Sequence, residues 1–269
     1  MSWCAWCAGW LPERELVVVG DSAFAVVELG HTCRTRGLRL ISRLVFNAQL
    51  HDPVPPQPAH QPGPKPSTGP RQPKPADRLV DPTTTWQTCS VVWYGQQLAA
   101  LELATGTALW HTDGLAPLPS RWVLVRDAPG HRPPVALCCT DPSASAEQTV
   151  SWYVDRWQIE TTSEEVHAQL GLETQREWSI RAVGRTTPCL LGPCSLVVLL
   201  AHALQPEELP TRRAAWYPKA EPTFIDALAA VRRHLWAGRN RPTLGSTPVP
   251  AKSSALLFDA LVEAAAYAA

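Results

Sequence analysis

Apolar positions follow two regimes along the chain. Through roughly the first half they come in short runs divided by Gly, Pro and Asp, and beyond Asp141 they recur at helical spacing. Leu16–Val19 is a continuous, largely β-branched run ending in Gly20-Asp21-Ser22, which predicts a buried strand followed by a turn. Ala23–Cys33 reads as a helix and Leu38–Phe46 as the next strand. Pro53–Pro75 holds ten prolines in twenty-three residues and no acid. That content forbids a helix or a sheet interior and predicts an extended, exposed loop. Strand patterns return at Cys89–Tyr94, Leu98–Leu103, Trp122–Val125 and Val135–Cys139. The order strand–helix–strand, a β-rich stretch, then helices predicts an α/β core interrupted by a β-rich insertion.

Ala144–Gly171 is the most informative helical stretch. Ser145 with Gln148 three residues later has capping-box spacing, and Gly171 supplies the stop. At about 100° per residue, Trp152, Ile159, Val166 and Leu170 share one stripe, the expected buried side. Tyr153, Arg156, Glu160 and His167 fall together on another side. Arg156 and Glu160 at i, i+4 also suit an ordinary ion pair, which leaves the aligned Tyr and His unexplained.

Composition narrows the class. The 269 residues are 45% hydrophobic and 18% charged, near globular averages, so the chain is long enough to bury a real core. Twenty-four basic residues balance twenty-four acidic ones, which excludes an unspecific polybasic coat. The charge is nevertheless segregated: an acidic centre, Leu79–Gln175, lies between basic flanks, which fits a metal-dependent enzyme acting on a phosphate polymer and equally fits chance clustering on solvated faces. The eight cysteines do not form the two short ligand pairs of a zinc site. Cys4-x-x-Cys7 has no matching second pair, so reduced thiols are expected. Cys189–Leu200 is the most apolar run. Interrupted by Gly192-Pro193, it reads as a core helix and not as a membrane span. The N-terminal MSWCAWCAGW has no signal-peptide layout, which predicts a cytoplasmic protein.

Tyr153-x-x-Arg156-x-x-x-Glu160, followed seven residues on by His167, resembles the Tyr-(2)-Arg-(3)-Glu-(6)-Lys signature of insertion-sequence DDE transposases. The surrounding YVDRWQIE, then HAQLGLETQREWS and RTTP, looks like a bacterial transposase of that class. VVVGDSAF resembles the segment that carries the second catalytic aspartate. One departure is His167, which stands at the lysine position and donates to phosphate more weakly near neutral pH. The resemblance implies a ribonuclease-H-like core and two-metal phosphodiester chemistry, with Mg²⁺ or Mn²⁺ held by acidic side chains. By that resemblance Asp21 and Glu160 are catalytic, metal-binding acids. Tyr153, Arg156 and His167 would contact DNA phosphates, Arg through its planar fork. Transposon ends and target DNA would be the substrates, and a second copy or a full-length transposase the protein partner. The implied division is a partial core over 1–46, a β-rich insertion over 47–140, a core return with the glutamate helix over 141–205, and a helical region over 206–269.

The family's first aspartate precedes the second by several strands, and no Asp lies before Asp21. Asp141 would complete a formal Asp21, Asp141, Glu160 set, but Asp141-Pro142 is explained by helix initiation. The expectation is therefore a C-terminal portion of a DDE transposase, truncated and catalytically incomplete, with its first core strands missing. A DNA- or transposase-binding remnant acting as an inhibitor is the alternative, and an unrelated α/β binding protein the third class.

Overall fold

The computed structural model describes residues 9, 13–55, 66–93, 97–127, 130–174, 179–204, 209, 211, 219, 222–239, 260–262 and 264–267. The chain divides into two compact units, Met1–Trp157 and Gln158–Ala269. Cys4, Cys7, the centre of the proline-rich segment with Lys65, and much of the stretch beyond Arg239 lie outside the described residues.

The first unit is mixed α/β, built on a mostly antiparallel sheet of seven strands. In chain order these are β1 (Val17–Gly20), β2 (Arg39–Arg43), β3 (Leu50–His51), β4 (Gln87–Trp93), β5 (Gln97–Trp110), β6 (Leu118–Arg126) and β7 (Val135–Cys139). Only β1 and β2 are parallel, joined through a 3₁₀ turn at Ser22–Phe24 and helix α1 (Val27–Arg34). β2 then pairs antiparallel with β7, and β7, β6, β5 and β4 follow as antiparallel neighbours. The strands predicted in the β-rich stretch therefore share one sheet with β1 and β2. β5 is longer than the Leu98–Leu103 pattern suggests, because Ala104–Trp110 continues the ladder with Leu118–Leu124 of β6.

Both faces of the sheet are covered, and this is why the central strands are apolar at successive positions and do not alternate. From β6, Val123 and Val125 point into one cluster, with Ile41, Leu137 and Cys139. Trp122 and Leu124 point into the other, with Ala136, Cys138 and Leu50. Helix α3 (Ala146–Asp155) closes the first face through Ala146, Val150 and Tyr153. Complete burial of a side chain such as Val150 contributes about 1.5–3 kcal/mol. The opposite face carries Val27 of α1, with Leu79 from the short helix α2 (Pro75–Val80) packed beside it. Gly106 of β5 makes room for Trp122: a Cβ there would meet the indole Cζ2 at 2.7 Å. Arg78 lies over the same indole, 4.4 Å from its centroid.

The second unit holds α4 (Trp157–Leu170, from Gln158 onward), α5 (Ile180–Ala203) and α6 (Phe224–Arg239). α5 corrects the expectation of a core helix broken at Gly192-Pro193. It runs through Pro188 and Pro193 without a break, at the cost of the hydrogen bonds their missing N–H groups would make. It is long and apolar enough to cross a membrane by length and composition, with 17% of its most apolar window buried. Cys194, Val197 and Ala201 face inward, while Leu196 and Leu199 are exposed. Buried within this unit, Asp226 accepts from Lys219 Nζ and from the Thr223 amide, which fixes the first turn of α6.

Candidate functional site

Asp21 follows the last residue of β1, at the C-terminal end of the parallel pair. Its backbone is extended, and its Oδ1 accepts the Ala23 amide at 2.9 Å, so that it caps the 3₁₀ turn. The side chain is exposed. An acid at the carboxyl end of parallel strands stands where α/β sheets place their ligands, since the chain leaves the sheet there and opens a crevice. A capping role alone also accounts for the Asp-Ser dipeptide.

Asp141 occupies the other end of the sheet. β7 is antiparallel to β2, so the residue after Cys139 lies beside the start of β2, whereas Gly20 pairs with Ser42 near its end. The three steps from Arg39 to Ser42 span roughly 10 Å of strand. Asp141 Oδ1 accepts the Ser143 amide and hydroxyl, and Oδ2 accepts Arg39 Nε at 2.8 Å. The Ser143 hydroxyl is the largest influence holding its carboxyl below the usual range. Partial burial opposes this, while the Ser143 amide and Arg39 add to the lowering. Asp141 is thus occupied in turning the chain from β7 into α3.

Ser145 caps α3 with a reciprocal Ser145–Gln148 capping box, and Gly171 ends α4 with φ of 76°. Between them the single predicted helix is in fact two. The Arg156 amide reaches the Tyr153 carbonyl, three residues back, in place of the fourth, and the regular ladder stops there. Ile159, expected on the buried stripe, is 66% exposed, whereas Val166 is buried as expected. Tyr153 is buried in the first unit's core, with the half-buried Arg156 guanidinium 5.8 Å from its ring centroid. Glu160 is half-buried and His167 exposed, both on α4 in the second unit. Tyr153 and Arg156 are brought together; Asp21 and Glu160 belong to separate units.

Each unit also holds a cleft, and neither is lined by Asp21, Tyr153, Arg156, Glu160 or His167. In the first unit, Arg126, His131 and Arg132 with Asp127 line a cleft of about 540 Å³. Arg126 pairs with Glu102 and lies 3.9 Å from the Trp86 ring centroid. In the second unit, Thr161, Glu165, Cys194, His202 and Phe224 line one of about 480 Å³. Burial pushes the Glu165 carboxyl up, helped by Glu164. The sequence pattern did not single out His51 and His111, whose rings meet with centroids 5.5 Å apart. They are 60 positions apart, and only strand pairing joins them.

Among the described residues no group of three or more His, Cys, Asp or Glu side chains converges to hold a metal. Carboxylates of the Asp21 and Glu160 type suit hard divalent ions, but two such side chains do not make up the ligand set of a two-metal centre. The six described cysteines are free thiols, in keeping with the reading against disulfides. No protein-family model matches the chain, and no curated protein matches it.

Proposed function

We propose that this chain is a DNA-engaging portion of a DDE-type transposase, with an incomplete ribonuclease-H-like core, and that it does not cut DNA by itself. The reading rests on the transposase-like motif together with one structural observation. Asp21 is presented at the carboxyl end of the parallel β1–β2 pair, while Asp141 is held by Arg39 and Ser143 at the opposite end. That placement supports leaving Asp141 out of the set, and Asp21 and Glu160 are the two acids that the motif assigns. Mg²⁺ or Mn²⁺ is the ion their oxygens suit. Two carboxylates alone supply less negative charge than a pair of such ions calls for.

DNA affinity in this reading comes from Arg156, the exposed His167 and the cleft of Arg126, His131 and Arg132, acting on transposon ends and target in the cytoplasm. Tyr153, assigned to a phosphate by the motif, is the residue whose burial fits that role least. The partner in this reading is a second copy or a full-length transposase. A nicking assay with Mg²⁺ and with Mn²⁺, on DNA carrying the element's ends, tests the proposal. The expected result is binding without cleavage, the same in Glu160→Ala. Robust cleavage that disappears in Glu160→Ala would overturn the incompleteness, and absence of any DNA binding would overturn the reading as a whole.

A further inference from the structure

We infer that His51 and His111 form a binding site for a late first-row divalent transition metal, distinct in place and in chemistry from the carboxylates assigned above. His51 ends β3 and pairs with Leu109 of β5, and His111 lies two residues beyond Leu109 along the same direction. Its amide continues the ladder by donating to the Gln49 carbonyl at 3.2 Å. Residues directly opposite, and those two further along, share one sheet face and lie within reach of ring side chains. The two imidazoles accordingly meet with centroids 5.5 Å apart and planes at 66°. Two imidazoles bound to one tetrahedral ion at about 2.1 Å would place their centroids roughly 5 Å apart. The separation on the sheet is already close to that of a chelate.

The hydrogen-bonding state of His51 points the same way. Its Nδ1 lies 3.3 Å from the Gly69 carbonyl, which only accepts, so Nδ1 carries the proton of the neutral ring. Nε2 is left with its lone pair, buried, and without a hydrogen-bond partner among the described residues. A backbone carbonyl on one ring nitrogen and a bare lone pair on the other is the arrangement that orients a metal-binding histidine. The carbonyl is set in place by backbone. Gly69 donates to Asp52 O, Asp52 donates to Pro70 O, and Gln72 donates to Leu50 O, so Gly69–Gln72 lies along β3 like a further strand. Only glycine allows that approach, because a Cβ at residue 69 would meet the Pro53 carbonyl oxygen at 2.4 Å. No third acidic, His or Cys side chain joins the pair among the described residues. Imidazole donors favour Ni²⁺, Cu²⁺ or Zn²⁺ over Mg²⁺.

The test is calorimetric titration of the full chain with Ni²⁺ and, separately, Mg²⁺. One equivalent of Ni²⁺ should bind with micromolar affinity and Mg²⁺ should not compete. Affinity should fall roughly ten-fold or more in His51→Ala and in His111→Asn, and stay unchanged in His234→Ala, which is exposed on α6. Equal Ni²⁺ affinity in all three variants overturns the site. Should His51→Ala fail to fold, the visible spectrum of the native chain with Co²⁺ still decides. Nitrogen and oxygen ligation alone supports the site, and a thiolate-to-cobalt charge-transfer band retained in His111→Asn overturns it.

Discussion

Arg39 Nε donates to Asp141 Oδ2 at 2.8 Å, although 102 residues separate the two. This bond joins the first residue of β2 to the second residue beyond β7, and it accompanies the direct pairing of those strands. The Asp141 carboxylate also accepts from Ser143 where the chain turns toward α3, at the opposite end of the sheet from Asp21. The Arg39 guanidinium lies 5.6 Å from the Trp152 ring centroid of that helix, so one side chain touches strand, turn and helix together.

Asp141→Asn is expected to cost about 1–2 kcal/mol at neutral pH, the worth of charge-assisted hydrogen bonds at a partly exposed site. The folded carboxyl titrates below its ordinary value of 3.8, chiefly through the Ser143 hydroxyl. A depressed carboxyl stabilises the fold above its unfolded pKa, and that stability fades as pH falls through the folded value. The gap between wild type and variant should therefore be full above 3.8 and close in more acidic solution. Urea unfolding at pH 7 and at pH 3 measures it; a gap of the same size at both would remove the electrostatic explanation.

Arg71 and Lys74 are exposed at the described end of the proline-rich segment. If they contact DNA phosphates, neutralising each should reduce the slope of log affinity against log salt by about one unit. Fluorescence anisotropy across a salt series reads this directly. An unchanged slope in the double variant would make the segment a connector only.

Gly106→Ala should destabilise the first unit by about 1–3 kcal/mol, as overpacking does in a filled core. The added methyl would press on the Trp122 indole, which is 7% exposed and has Arg78 on its ring. Denaturant melts would show the midpoint fall. A variant as stable as wild type would mean that the indole shifts freely.

Thiol labelling under native conditions should modify Cys189, which is exposed, and spare Cys138 and Cys139. Burial pushes the Cys138 thiol up to about 12, leaving almost no thiolate at neutral pH. Peptide mass spectrometry distinguishes the sites, and equal labelling of Cys138 and Cys189 would show that β7 opens readily.

The sequence by itself determined the elements whose signals are local. The β-branched run at Val17–Val19 is a strand, Val135–Cys139 is β7 to the residue, Ser145 and Gln148 cap α3, and Gly171 stops α4. Each depends on a few neighbouring side chains and the backbone conformations they favour, so spacing alone reveals it. Tertiary structure decided the rest. A 100° repeat reads Ala144–Gly171 as one helix, whereas the structure divides the stretch at Arg156 and packs Tyr153 into the first unit's core. Gly192-Pro193 predicted an interruption of the Cys189–Leu200 run, and α5 continues through it. The use of Asp141 depended on Arg39, and the meeting of His51 with His111 on the β3–β5 register. Such pairings bring together residues 60 to 102 positions apart in the chain, a distance over which no periodicity carries information; the sheet that joins them exists only once both faces are buried.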